Sequence, residues 1–582
     1  MKFCYQCGNP VSEAHKFCPK CGAKLNHAPS PAAVNEYVVQ EYQPEKKRRC
    51  NRNGVIFTNM TALSIVLNTR RDVVRQLLQK YVDTMTASDI QYQLVDASDY
   101  TFISRKAGLK GKRVSLMPSN PWWEHQQILF DILSYEKENR LPESNYLFII
   151  GGHDIIPVAA INHYAPGDSD GSDTDIETDL LYAYPYGPHT QYSLESLELY
   201  KNEMYFLPGR LPIPVGSGVS YLENYLTNSV KAAMGGLNIR KIYAQSDPHW
   251  QEATAATLKI FEDAGLLADK SGIRSEYRRG NIMLGPGVTS QVIDQAFDTD
   301  SDLVFLNQHG SNAKEQPGYW GQDYEDDWYE TFPVYAPGSM TNLNVFVAEA
   351  CYGGRFIGHD IDHSIIQRAL SNKTVIAMAS SRVAYGSTDQ CIQAGWPESL
   401  WADNICMFFT YSFLSGLSAG ESMITARQYL FNNEVSSNQK MVRLSGATTM
   451  AEFNLYGDPS LRLSRNIHGK TVTIPSKKII PEKYECGFST KVLKGAAKKA
   501  GLLDQIRSEV DANIAFISDN INKELYEKMG IPPREPKTIC KVTYGNRTEE
   551  LRFTYKTEGK VAQYQVVTTD KDGNISSIAT SK

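Results

Sequence analysis

The chain contains no apolar run of the ~18 residues that a bilayer-spanning helix requires. It also lacks an excess of either charge: 60 Lys and Arg stand against 65 Asp and Glu, a net of -5. A membrane span is thereby excluded as a reading, and neither nucleic acid nor an anionic membrane is expected as a direct partner. The first residues, MKFCYQCGNP, lack the apolar core of a secretory signal, so a cytoplasmic protein is the expectation. No internal repeat is visible. A hydrophobic content of 42% and a charged content of 21% are those of an ordinary globular protein. At 582 residues the chain has room for one large core with appendages.

Ten cysteines are present and unevenly placed. A reducing compartment makes a disulfide framework the poorer explanation for them. Cys4, Cys7, Cys18 and Cys21 read C-x2-C-x10-C-x2-C, with Gly8 and Gly22 directly after each pair. A two-residue gap lets one tight turn present two thiolates to one metal, and four thiolates satisfy tetrahedral Zn2+. The pattern resembles a short zinc ribbon over residues 1–25, holding one structural zinc ion. Four sulfurs leave no open position for a substrate, so the site is structural or partner-binding rather than catalytic.

Residues 26–54 read as a linker, small and proline-containing in HAPSPAA and basic in EKKRRCNRN. From Val55 the texture becomes one of alternating strands and helices. VIFTNMTALSIVL (55–67) suits a buried strand, and helices are expected over 70–85, 122–138, near 249–265, near 362–371, near 397–415 and over 418–433. Further strands are expected at 145–152, 241–247, 302–310, 344–351 and 374–381. Such alternation predicts an α/β fold, a mostly parallel sheet with helices on both faces. After about residue 468 the texture changes again. Residues 487–531 look helical and 537–570 hold short alternating strands, giving a small α+β domain over 470–582 whose role the residues do not state.

Open parallel sheets bind ligands beyond the carboxyl ends of their strands. Two predicted strands finish there in reactive residues, FLNQHG in His309 and VAEAC in Cys351, each followed by a glycine or small turn. A thiol attacks as thiolate, and a nearby imidazole is the usual way to make one near neutral pH. The two residues therefore form a candidate Cys–His dyad. Ligation of a metal by the same two residues lacks a third ligand.

Six motifs carry a wider resemblance: NYLFIIGGHDIIP (145–157), TDLLYA (178–183), LPGRLPI (207–213), NQHGS (307–311), EACYGGRF (349–356) and FNLYGDPSLRL (453–463). In this order, over residues 55–466, they resemble the gingipain family of cysteine peptidases, relatives of the caspases. The resemblance implies a caspase-like fold and cleavage of a protein or peptide substrate. It makes Cys351 the nucleophile and His309 the general acid/base that protonates the leaving amine. The backbone N–H groups of Cys351 and Gly310 would form the oxyanion hole. Glu349 shares a strand face with Cys351 and either tunes the dyad or serves as a structural acid. Asp247, in KIYAQSDPHWQEA, matches the acidic residue that lines the substrate pocket of the arginine-specific members, which implies cleavage after Arg or Lys. Alternatively, Ser246 or Asp247 caps the following helix. Tyr385 matches an aromatic pocket wall by position.

Secreted gingipains carry a signal peptide and pro-segment, whereas this sequence shows a zinc ribbon instead. An intracellular peptidase gated by a regulatory protein, a ligand or self-processing is the resulting expectation. The exposed run Lys46-Lys47-Arg48-Arg49 would suit self-cleavage by a basic-specific enzyme, or it is a solvated charge run. The acidic stretch DSDGSDTDIETD (168–179) suggests calcium, Ca2+, which gingipains bind, but its spacing does not fit an EF-hand, and a solvated loop is the better reading. Asp458, in YGDPS, is expected to fix the final turn of the peptidase region. The competing function is a catalytically silent caspase-like scaffold with a zinc-ribbon interaction module. A scaffold has no need of His309 or Cys351.

Overall fold

Continuous apolar runs bounded by turns build the centre of this molecule. VIFT, YLFII, LVFLN and VFVAE have no polar alternation, which suits strands covered on both faces. In the computed structural model they lie in one eleven-stranded sheet, as two adjacent pairs. The structure describes residues 51–162, 175–185, 203–250, 301–322, 328–388, 399–432 and 440–464, with shorter pieces at 2–3, 10–11, 253–254, 257–258, 278–279, 282–284, 467, 512–514, 537–544, 547–556, 561–570 and 575–581.

The sheet's main strands, in chain order, are β1 (Arg52–Thr58), β2 (Ile90–Asp96), β3 (Tyr146–Ile150), β4 (Leu207–Leu211), β5 (Ile242–Ser246), β6 (Leu303–Asn307), β7 (Val345–Glu349) and β8 (Ile376–Ser380). Strand β9 (Tyr385–Ser387) belongs to another sheet, and β10 (Phe453–Gly457) returns to the first. Across the large sheet the order is two short strands at 278–284, then β5, β6, β7, β8, β10, β4, β3, β1 and β2. Neighbours are parallel except for the edge pair at 278–284 and β10 against β8. All five residues of β5, β6 and β7 are buried.

Helices cover the sheet where the sequence shows helical periodicity. In Arg71–Met85 the buried residues are Val74, Leu78, Tyr81, Val82 and Met85, a stripe with steps of three and four. Helices at Trp122–Glu138, Ile365–Ser371, Ala402–Leu414 and Ala419–Leu430 fall where they are expected. One expectation is corrected. The run 55–67 is a strand only as far as Thr58; Met60–Val66 is a helix, started by the Asn59 side chain accepting from the Ala62 N–H at 2.9 Å. An apolar run cannot by itself separate buried strand from buried helix, and the cap decided this one. Among the described residues no helix is long and apolar enough to cross a membrane.

Three of the quoted motifs converge on one buried ion pair. The Arg210 guanidinium, in LPGRLPI, donates to both oxygens of Asp179, in TDLLYA, at 2.8 and 2.6 Å. Its remaining donor group reaches the carbonyls of Gly151 and Ile156, in NYLFIIGGHDIIP, at 2.8 and 2.9 Å. These motifs hold the fold. Asp458 does likewise: it accepts from the Ser460 N–H at 2.8 Å and from the hydroxyls of Tyr81 and Tyr92 at 2.5 Å each, fixing the turn as expected.

A six-stranded sheet contains β9 and the strands β11 (Ala512–Ile514), β12 (Lys537–Tyr544), β13 (Arg547–Lys556), β14 (Val561–Asp570) and β15 (Ile575–Ser581), in the order β9-β15-β14-β13-β12-β11. The described part of 487–531 is thus a strand, where the sequence predicts helix; the rest of that span lies outside the described residues. Strand β15 is not anticipated from the sequence. In the unit Met1–Glu45, Lys2–Phe3 pairs antiparallel with Pro10–Val11. The cysteines Cys4, Cys7, Cys18 and Cys21, the basic run 46–49 and residues 168–174 lie outside the described residues.

Candidate active site

Strand register brings the reactive residues together. Strand β6 pairs in parallel with β7, Asn307 opposite Glu349, and with β5, Asn307 opposite Ser246. Backbone hydrogen bonds run one residue further, from Asp247 N–H to the Asn307 carbonyl at 2.8 Å and from Gln308 N–H to the Glu349 carbonyl at 3.1 Å. Two residues beyond the Asn307–Glu349 pair stand His309 and Cys351. They follow the carboxyl ends of adjacent strands, which lie about 4.8 Å apart in a parallel sheet. Asp247 ends the next strand over.

His309 is held on all sides. Its backbone exchanges hydrogen bonds with Trp320, at 2.9 and 2.8 Å. Its ring lies between the indoles of Trp250 and Trp328, with centroids 4.4 and 4.5 Å away. Nε2 stands 3.8 Å from Oδ2 of Asp247. Asp247 is fully buried and both its oxygens are engaged. Oδ1 accepts from the His249 N–H at 2.8 Å and lies 2.9 Å from His249 Nδ1; Oδ2 accepts from the Gln322 N–H at 2.6 Å. The bond to His249 N–H is the local capping role that the sequence admits. The carboxylate also faces the histidine, which the sequence reading does not foresee.

Gly310 follows His309 and touches the other strand end. A Cβ placed there would lie 1.7 Å from the Cys351 carbonyl oxygen, so only glycine permits this approach. Cys351 itself is 3% exposed and its thiol donates to the Ala384 carbonyl at 3.6 Å. Tyr352 follows at a φ of 53°, uncommon for a residue with a side chain. Its N–H donates to the Arg382 carbonyl at 2.8 Å, and the Gly354 N–H to the Ser380 carbonyl at 2.7 Å. Backbone outliers of this kind gather at functional sites because the surroundings must over-determine them. The cysteine turn is therefore tied to the end of β8 and the segment leading into β9.

Glu349 is fully buried at the end of β7, which leaves it no surface to offer a substrate. Tyr385 opens β9, half-buried, its ring edge-on to Trp401 at 6.4 Å. Trp250 and Trp328 are the site residues that the sequence reading misses. Trp250 lies three residues past Asp247, but nothing local says that it will meet a histidine about sixty positions away. Cys351 and Cys406 are both buried. Among the described residues no group of three or more His, Cys, Asp and Glu is placed to hold a metal ion.

No curated protein sequence matches the chain. Among solved structures, the Arg-specific cysteine proteinase gingipain R aligns over 90% of this chain and 96% of its own, at 13% identity and a TM-score of 0.41. A structure described as a protease aligns over the same shares at 9% identity and a TM-score of 0.42. Superposition this loose assigns no role to any residue. The sequence model of a zinc-ribbon domain matches residues 3–25. That of peptidase family C25 matches residues 126–464, more than half of the chain and the whole of the site just described. This chain belongs to peptidase family C25, the gingipain family, and is a cysteine endopeptidase.

Proposed function

We propose that Cys351 is the nucleophile, His309 the general acid/base, and Asp247 the carboxylate that orients His309, in an intracellular peptidase whose activity is gated. The observation supporting this reading is the register that ends β6 and β7 side by side two residues before His309 and Cys351, with Asp247 Oδ2 3.8 Å from His309 Nε2. With Nε2 turned toward Asp247, Nδ1 serves the thiol. The Cys351 proton passes to His309 as Sγ bonds to the scissile carbonyl carbon, and the carbonyl oxygen becomes an oxyanion. The N–H groups of Cys351 and Gly310 receive that charge, each such donor being worth ~3 kcal/mol in the transition state. His309 then gives its proton to the departing amine, leaving a thioester. Water, deprotonated by His309, hydrolyses the thioester and restores the thiol.

Asp247 is assigned to His309 here and not to the substrate pocket, because its oxygens are buried and occupied. Cleavage after Arg or Lys is retained as a proposal on the family resemblance, with another group meeting the substrate's cation. A reducing interior suits both a thiol nucleophile and a zinc site. Cys4, Cys7, Cys18 and Cys21 form a donor set that fits one zinc ion, and the pairing of Lys2–Phe3 with Pro10–Val11 brackets Cys4 and Cys7 within one short connection. That ion would stabilise its small module and take no part in cleavage.

The test uses fluorogenic peptides ending in Arg, Lys, Asp or Asn, with and without prior alkylation, the alkylated residue being located by mass spectrometry. Cleavage of the Arg and Lys peptides, lost in step with modification of Cys351, is expected. Cleavage that survives complete modification of Cys351 would overturn the assignment, and no cleavage of any peptide would return the scaffold reading. Asp247→Asn keeps the size and one acceptor but removes the charge. It is expected to lower kcat/KM about 100-fold and to move the limb of the pH profile belonging to His309 toward lower pH, since an imidazolium loses its stabilising neighbour. An unmoved limb would leave Asp247 as a helix cap only.

A further inference from the structure

The strand that follows the acceptor of the nucleophile's thiol is already paired on both edges. Ala384, whose carbonyl takes the Cys351 thiol, is followed directly by β9. One edge of β9 is closed by Asp403, which accepts from the Ser387 N–H at 2.7 Å and from the Leu400 N–H at 3.0 Å. The other edge pairs antiparallel with β15: Tyr385 opposite Ser581, Gly386 opposite Thr580 and Ser387 opposite Ala579. N–H directions alternate along a strand. With Ser387 turned to Asp403, the Gly386 N–H and carbonyl face Thr580.

A peptidase must hold its substrate extended, with one carbonyl at the nucleophile. Chains of any sequence are held that way by adding a strand to an open edge, through main-chain hydrogen bonds. The β15-facing edge of β9 begins one residue from the carbonyl that touches Cys351. One edge accepts one strand. We propose that β15 occupies the edge on which an extended peptide substrate binds, so that the sheet of residues 512–581 holds the peptidase closed until β15 is displaced. This rests on the peptidase reading of Cys351 and supplies its gate. Three paired residues form a short ladder, suited to exchange, whereas β15 keeps its partner β14 over a longer one, from Gln565–Thr580 to Thr569–Ile575. Released from β9, the strand stays within its own sheet.

The experiment uses the full chain. Thr580→Pro removes the N–H that faces Gly386, and Thr580→Ala leaves it. The proline variant is expected to cleave the best peptide about tenfold faster or more, because the competent form rises from a minor fraction to most of the population; the alanine variant matches the wild type. In the wild type, a peptidyl chloromethyl ketone bonded to Cys351 is expected to strip hydrogen-exchange protection from the Thr580 N–H, while the N–H groups of β15 that face β14, and residues 385–387, stay protected. Unchanged turnover in Thr580→Pro, or unchanged protection of the Thr580 N–H with the peptide on Cys351, would overturn the proposal. If neither wild type nor Thr580→Pro cleaves any peptide or bonds the ketone at Cys351, the peptidase reading itself fails and the gate falls with it.

Discussion

Cys351→Ala is expected to reduce kcat/KM at least ~10⁴-fold, and His309→Ala by a similar factor, with the double variant no worse than either alone. The two side chains act in one step, a proton leaving sulfur as sulfur attacks carbon, and half of that step has no value. A 10⁴-fold loss corresponds to ~5.4 kcal/mol of transition-state stabilisation. Folding should be little affected by the cysteine change. The thiol is small, its hydrogen bond to the Ala384 carbonyl is a long 3.6 Å contact, and alanine fits the same turn. Kinetics on the best-cleaved peptide, paired with thermal melts of each variant, check this. Retention of more than a tenth of the activity by Cys351→Ala would remove it from the nucleophile's role. A double variant far below both singles would mean that the residues act independently.

Arg210→Ala is expected to destabilise the fold by about 3–5 kcal/mol. The guanidinium is completely buried and Asp179 is 7% exposed. Deleting one partner leaves a carboxylate without its cation, in a place where water does not reach, and orphans the carbonyls of Gly151 and Ile156. Asp179→Ala should do comparable damage from the other side. Replacing both with apolar residues of similar volume, Arg210→Met with Asp179→Leu, should lose far less than the sum, because no charge is then stranded. Urea unfolding of the four proteins measures this, provided the slope stays constant. A loss below about 1 kcal/mol for Arg210→Ala would show that water or rearrangement satisfies the site.

The contrast between these two predictions marks where the sequence was readable. All of LVFLN and VFVAE is buried, and such runs announce central parallel strands without help from the rest of the chain. His309 and Cys351 stand at the ends of those strands, so their candidacy was legible too. The motifs around Gly151, Asp179 and Arg210 were equally visible, yet their job was not: a charged pair reads the same in a sequence whether it meets a substrate or closes a core. Asp247 shows the same ambiguity. Its position after a buried strand marked it as special, but the direction of its carboxylate, toward His309 and the Gln322 N–H, depends on β6 and on a hairpin strand seventy-five positions away.

By itself, then, the sequence determined the α/β class, the strands β1, β3 and β5 to β8 and the helices at 71–85, 122–138, 365–371, 402–414 and 419–430, and it marked the cysteine–histidine pair and the thiol quartet near the start as candidates. Each is carried by a pattern within a few residues, because burial of a strand or helix face imposes a local period. Tertiary structure alone decided that β10 lies between β8 and β4, antiparallel to the first and parallel to the second, that Trp250 and Trp328 enclose His309, and that β15 lies along β9. Those are pairings between segments far apart in the chain. Main-chain hydrogen bonds make the two strand pairings without regard to side-chain identity, and the ring contacts depend on which distant segments the fold brings together, so none of them leaves a local mark to read.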